Sequence, residues 1–164
     1  VNRVGFGFDL HPLLAGRPLV LGGVTVPSEV GLDGHSDADV LSHAVGEALL
    51  GALALGDLGR HFPDTDPRWR GISSLLLLGR VVGLVRGRGA RLVNVDATVL
   101  AQAPTLAPHL PEMAKRLADV LGIQTELVSV KAKSPEGLGL VGRREGIAAM
   151  AVVSLEVEGP SESP

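Results

Sequence analysis

A chain of 164 residues, 45% of them hydrophobic and none of them cysteine, suits one globular domain. It excludes disulfides, zinc ribbons and thiol catalysis, so any metal must be held by histidine and carboxylate. Fifteen basic residues against 18 acidic ones, with no basic stripe, exclude the electrostatic footprint of a nucleic-acid binder, and four aromatics (Phe6, Phe8, Phe62, Trp69) are too few for stacking platforms.

Residues 3–10 read as a strand. Residues 19–21 and 24–26, around Gly22 and Gly23, read as a short hairpin. Residues 31–36 form a loop, and a helix is expected to start near residues 37–39, capped by Asp37 or Asp39. Its apolar positions Val40, Leu41, Ala44, Val45, Ala48, Leu49 and Ala52 recur at helical spacing. Residues 56–67 read as irregular. Residues 72–86 form a second helix, stopped by Gly87 and Gly89. Residues 91–102 alternate with period two, placing Val93, Val95, Ala97 and Val99 on one strand face. Residues 108–121 give a third helix, 127–133 another strand, 134–144 a Gly-rich turn region and 146–157 the last strand.

Strands separated by helices predict an α+β two-layer sandwich: a mixed sheet with three helices on one face, plus a small hairpin. Residues 1–157 form the single domain, and 158–164 read as a frayed tail. No apolar run reaches membrane-span length and no N-terminal run resembles a signal peptide, so no membrane partner and a cytoplasmic location are expected. The last strand runs Ile147, Ala148, Ala149, Met150, Ala151, Val152, Val153, apolar on both faces. A sheet covered on one side only should alternate, so a homo-oligomer whose sheets pack together is expected.

Four groups of residues can carry chemistry. Asp9 and His11 share a strand face and make half a zinc site. His35 and His43 are the nearest candidates for a third ligand, and an Asp-His-His set leaves the fourth position open. Glu47, four residues after His43, is placed to orient it, while a rival grouping pairs Asp39 with His43 directly. The loop holding Asp57, Asp64 and Asp66, stiffened by Pro63 and Pro67, suits hydroxyls or a hard cation, or simply turn formation. The strand ends at 102–105 and 131–136, with Lys131, Lys133, Ser134 and Glu136, suit a nucleotide phosphate, Glu136 being a candidate Mg²⁺ ligand.

Five blocks in order resemble one family. Gly7-Phe8-Asp9-Leu10-His11 resembles its G-x-D-x-H start, and residues 35–43 its H-S-D-x-D-x-x-x-H block. Residues 56–66 resemble G-D-I-G-x-x-F-P-D-T-D, residues 94–104 N-V-D-x-T-x-x-A-Q-x-P, and residues 142–148 G-R-x-E-G-I-A. The family is 2-C-methyl-D-erythritol 2,4-cyclodiphosphate synthase of the non-mevalonate isoprenoid pathway, and the likeness spans residues 3–155.

The resemblance implies that Asp9, His11 and His43 hold Zn²⁺ and that His35 and Ser36 contact a substrate phosphate, His35 helping to stabilise the transition state. It implies a methylerythritol pocket of Asp57, Gly59, Phe62, Pro63, Asp64, Thr65 and Asp66. Ala101, Gln102, Ala103, Pro104, Thr105, Leu106 and Ala107, with Ala132, Lys133 and Ser134, would form a cytidine pocket, Ser134 acting catalytically. Glu136 would approach a second ion, Mg²⁺ or Mn²⁺, and Leu140 and Arg143 match substrate-contacting positions. The family forms homotrimers with sites between subunits, and isoprenoid diphosphates are associated with the trimer axis, where Arg143 and Glu145 are candidates. Gly137, Leu140 and Thr105 depart from the family's common lysine, aromatic and lysine. The implied reaction cyclises 4-diphosphocytidyl-2-C-methyl-D-erythritol 2-phosphate and releases CMP. A metal-dependent phosphohydrolase and a non-catalytic trimeric binding module for nucleotides or isoprenoid diphosphates remain as alternatives, separated from it by their products.

Overall fold

The computed structural model describes residues 1–158, so of the expected tail only Glu158 falls inside the described residues. Its seven strands are β1 (Asn2–Ala15), β2 (Leu19–Leu21), β3 (Val24–Val26), β4 (Val30–Leu32), β5 (Ala90–Leu100), β6 (Val128–Lys133) and β7 (Gly146–Val157). Its helices are α1 (Val40–Ala52), α2 (Leu58–His61), α3 (Ser74–Gly87), α4 (Leu110–Leu121) and α5 (Gly139–Gly142). The main sheet runs β4-β1-β7-β5-β6, antiparallel except for the parallel β5–β6 pair, and β2–β3 forms a separate hairpin.

The expected α+β sandwich is present. Helix α1 lies across β1 and β7, α4 lies beside β6, and α3 packs against both helices. The core between the layers is Leu, Val and Ala, as a chain with four aromatics requires. On the helix side of β7, Ile147, Ala149, Ala151, Val153 and Leu155 are fully buried. Each large apolar side chain there stabilises the fold by roughly 1.5–3 kcal/mol.

Glycines decide how close α1 sits. Gly5 and Gly7 alternate with exposed Val4, Phe6 and Phe8 along β1. A Cβ on Gly5 would lie 1.8 Å from the Ala48 carbonyl oxygen, and one on Gly7 would lie 1.9 Å from that of Ala44. Only a missing side chain permits that approach. The next two residues on the same strand face are Asp9 and His11, and the residue before Ala44 is His43. The glycine stripe therefore brings the helix histidine to the strand pair.

Several boundaries differ from expectation, each for a local reason. β1 continues through Pro12 to Ala15, because its outer half pairs with the short β4, which the Gly-rich composition of 31–36 conceals. A bulge between Leu92 and Asn94 shifts the alternation of β5, so Leu92 joins Val95, Ala97 and Val99 in the core and Val93 is displaced from that face. Residues 56–67 hold the four-residue α2, and the 134–144 turn region holds α5.

The other face of the sheet is apolar and open. Val4 is 69% exposed, Phe6 61%, Phe8 52% and Val152 42%. Phe6 is registered with Val152, and Phe8 with Met150. An exposed apolar surface of this kind marks an interaction site. No helix among the described residues is long and apolar enough to cross a membrane.

Candidate functional site

The middle of β1 and the first turn of α1 bring Asp9, His11 and His43 together, one ligand atom from each within 4.8 Å of the others. Asp9 Oδ2 lies 3.1 Å from His11 Nε2 and 2.9 Å from His43 Nδ1. A tetrahedral ion about 2.0–2.1 Å from each ligand atom sets ligand separations of about 3.3 Å, so small side-chain adjustments admit one. The outward ring nitrogens are also engaged. His11 Nδ1 donates to the Asp33 carbonyl oxygen at 2.7 Å, and His43 Nε2 meets Ser74 Oγ at 2.8 Å. Such partners fix ring orientation in metal-ligating histidines. A carboxylate and two imidazoles converging in this way fit a divalent ion of zinc type.

The electrostatics agree. Burial alone would raise the Asp9 pKa, but hydrogen bonds from the His11 and His43 rings more than offset it and hold the carboxyl well below its usual range. The hydrogen bond to Asp9 raises the His11 pKa against the opposing effect of burial, with the Asp33 carbonyl and the Asp64 charge assisting. The Asp9 charge thus favours positive charge on its imidazole neighbours.

This cluster forms one wall of a cavity of ≈ 290 Å³, also lined by Gly34, His35, Ser36, Glu47, Leu58, Gly59, Phe62, Asp64, Trp69 and Leu77. Two buried side-chain nitrogens of lining residues, His35 Nε2 and Trp69 Nε1, have no hydrogen-bond partner. Unpaired buried polar groups are costly, so they point to a polar guest. Phe62 and Trp69 meet edge to face, ring centres 5.3 Å apart, and form an apolar wall.

The three side chains expected to hold a metal lie together, with two differences in their surroundings. Asp39 does not pair with His43: it is fully buried, caps α1 through Ser42 N, and accepts the Gly22 and Gly23 N–H groups of the hairpin. Glu47 does not orient His43 either. It accepts the Leu58 N–H at 3.0 Å, and burial pushes its carboxyl pKa up. His43 is instead held by Ser74 and Ser36, and Ser74 by Asp37.

Of the acidic loop, Asp64 faces the cavity, while Asp57 caps α2 and Asp66 caps the following 3-10 turn and pairs with Arg68. Pro63 and Thr65 are exposed and lie outside the lining. His61 bonds the Leu55 carbonyl, in keeping with its lack of a motif position. The signal for Trp69 and Ser74 in the sequence is weak, because each reaches the cavity or His43 only through tertiary contact.

The second group of expected residues gathers elsewhere, at the ends of β5 and β6. Ala101 N donates to the Lys133 carbonyl, Gly137 N to Gln102 Oε1 at 2.9 Å, and Glu136 N to Ser134 Oγ at 3.0 Å. Ser134, Glu136, Leu140 and Arg143 are exposed, Ala103 and Pro104 border a second hollow, and Leu106 is buried in the core. Ala107 begins a 3-10 turn before α4 and is exposed, as is Thr105, while Ala132 is half-buried and Lys133 exposed. None of these residues lines the histidine cavity.

Residues 2–156 match the YgbB family. The chain belongs to that family. It is 58% identical over 154 residues to the 2-C-methyl-D-erythritol 2,4-cyclodiphosphate synthase of Syntrophomonas wolfei, covering 94% of this chain and 98% of that one. It is 58% identical over 153 residues to the synthase of the same name from Bordetella petrii, covering 93% of this chain and 94% of that one. Among solved structures, a CDP-bound 2C-methyl-D-erythritol-2,4-cyclodiphosphate synthase superposes with TM-score 0.87 at 40% identity, covering 94% of this chain and all (100%) of the other. The bifunctional IspDF of Campylobacter jejuni superposes with TM-score 0.93 at 39% identity, covering 96% of this chain and 43% of that longer one.

Proposed function

We propose that this chain is a cytoplasmic cyclodiphosphate synthase of the non-mevalonate isoprenoid pathway. It converts 4-diphosphocytidyl-2-C-methyl-D-erythritol 2-phosphate to 2-C-methyl-D-erythritol 2,4-cyclodiphosphate and CMP. The observation that carries this reading is the convergence of Asp9, His11 and His43 in a cavity with unpartnered buried donors, in a chain whose relatives bear that name.

An oxygen of the 2-phosphate attacks the β-phosphorus, a new P–O–P link forms, and the bond to the CMP oxygen breaks. No water and no protein nucleophile is consumed. Two anionic groups must be brought together, so catalysis is mainly positioning and charge stabilisation. Asp9, His11 and His43 would hold Zn²⁺, and Glu136 would approach Mg²⁺ or Mn²⁺; such ions would supply Lewis-acid neutralisation of the phosphoryl oxygens. His35, with Nε2 unpartnered in the cavity wall, donates to a phosphoryl oxygen. Trp69 Nε1–H and Asp64 meet the methylerythritol hydroxyls, and Phe62 packs on its methyl face. Residues 101–107 and 132–134 receive the cytidine with backbone groups, and Ser134 donates to the diphosphate.

The cavity and the cytidine residues are proposed to meet across a homotrimer interface. Support comes from the open apolar face of β1 and β7, which a second layer of protein would cover, and from the exposure of Ser134, Glu136 and Leu140 in the single chain. An isoprenoid diphosphate on the trimer axis would find its cation in Arg143, paired here with Glu145 at 2.6 Å.

The test is incubation with the diphosphocytidyl substrate and Mg²⁺, with and without zinc. Equimolar CMP and cyclic diphosphate are expected. Linear phosphate products would favour a phosphohydrolase, and binding without CMP release would favour a binding module.

A further inference from the structure

The hydroxyl of Ser74, the first residue of α3, is more than a helix-terminal group. Ser74 is 1% exposed. Its backbone N–H donates to Asp37 Oδ2 at 3.0 Å, so a carboxylate from the loop before α1 caps a helix that starts 37 residues later. Its Oγ–H donates to Asp37 Oδ1.

Proton accounting then fixes the rest. A serine hydroxyl has one proton and two lone pairs. The proton is committed to Asp37, so Ser74 Oγ can only accept from its remaining neighbours. His43 Nε2 lies 2.8 Å away and must therefore be the donor, carrying a hydrogen on Nε2. Ser36 Oγ, 3.4 Å from Ser74 Oγ, supplies the second donor while accepting the Ala38 N–H at 3.2 Å. In the neutral ring, a hydrogen on Nε2 leaves a bare lone pair on Nδ1, the atom that sits 2.9 Å from Asp9 Oδ2. His11 is fixed in the opposite sense, because a carbonyl can only accept: Nδ1–H goes to Asp33 and Nε2 turns inward.

We propose that Ser74, held by Asp37, is a positioning residue that locks His43 with its hydrogen on Nε2 and its Nδ1 lone pair turned to the metal position beside Asp9. This rests on the metal-site reading of the cavity. The role that helical spacing suggested for Glu47 thus falls to a serine and a carboxylate on two other segments.

The test is the zinc dissociation constant, read by competition with a chromophoric chelator at one fixed pH. Ser74→Ala keeps the backbone cap to Asp37 and removes only the hydroxyl. It is expected to weaken zinc binding by about 10–100-fold, with the protein still folded in chelator and its melting temperature lowered by only a few degrees. Ser74→Thr returns the hydroxyl and should recover most of the affinity, which a purely structural role would not require. Asp37→Asn carries the same test should Ser74→Ala fail to fold, and it too should weaken zinc binding. Wild-type affinity in Ser74→Ala or, failing that variant, in Asp37→Asn would overturn the proposal. The underlying metal reading fails differently: the wild-type protein would bind no zinc, or His43→Ala would bind it as tightly.

Discussion

The two clusters of expected site residues are built in different ways. Asp9, His11 and His43 are partly buried, mutually bonded and backed by Asp33, Ser74 and Asp37. Ser134 and Glu136 sit on an exposed turn, where Gly137 N–H donates to the Gln102 side chain, and Leu140 is exposed on the short α5. The first cluster comes together within one chain; the second, on the reading proposed above, is a half-site that a neighbouring subunit completes. On that reading the metal end is preorganised by local packing, while the nucleotide end depends on assembly.

The hardest way to break that division is at the open sheet face. Phe8→Glu combined with Val152→Lys puts charge where subunits are proposed to meet, with little effect on the core because both side chains are exposed. Sedimentation should show monomers, and turnover should fall by about a thousandfold or more as positioning between the half-sites is lost. Zinc binding should survive, because the histidine cluster lies within one chain. Loss of zinc together with assembly would place the metal site at the interface as well.

Ser134→Ala tests the exposed half more gently. A hydrogen bond to a charged oxygen is worth about 1.5–3 kcal/mol, so kcat should fall by about 10–100-fold while CMP affinity changes little. Equal losses in kcat and CMP binding would mean that Ser134 only holds the nucleotide. Trp69→Phe keeps the apolar wall against Phe62 but deletes the unpartnered indole N–H. KM for the substrate should rise by about fivefold to tenfold, with the metal site untouched.

The smallest expected effect is on pH. The Asp9 pKa is lowered from 3.8, so its contribution to stability is present above that value and is lost as acid protonates the folded carboxyl. The His11 pKa is raised from 6.5, so its contribution is full below that value and is lost as pH rises through the higher folded pKa. The chelator-treated protein should therefore melt highest between these two values, and a few degrees lower at pH 8. Zinc competes with the same protons, so its affinity should tighten across that upper range. A flat melting profile from pH 5 to 8 would remove His11 from the coupled cluster.

Much of this was legible in residue order. Helix α1, the hairpin and β7 follow from periodicity and turn chemistry, and D-x-H on a strand with a histidine on the next helix points to the ligand set. What stayed hidden depends on contacts between distant segments. Strand β4 is three residues long and takes its identity from pairing with the outer half of β1. Helical spacing nominated Glu47 as the partner of His43, but Leu58 N–H draws it away, and Ser74 arrives from α3. The glycines at 5 and 7 do record the close packing of α1, although their meaning emerges only once Ala44 and Ala48 are seen above them. The apolar second face of β7 was readable too, and the exposure of Phe6, Phe8 and Val152 places that surface on β1 as well.

The account rests most directly on the metal held by the preorganised half. Elemental analysis of zinc-reconstituted, gel-filtered protein should find one zinc per chain in the wild type and essentially none in folded His43→Ala, with cyclic diphosphate formation lost in step. Full zinc occupancy or full cyclase activity in His43→Ala would contradict it.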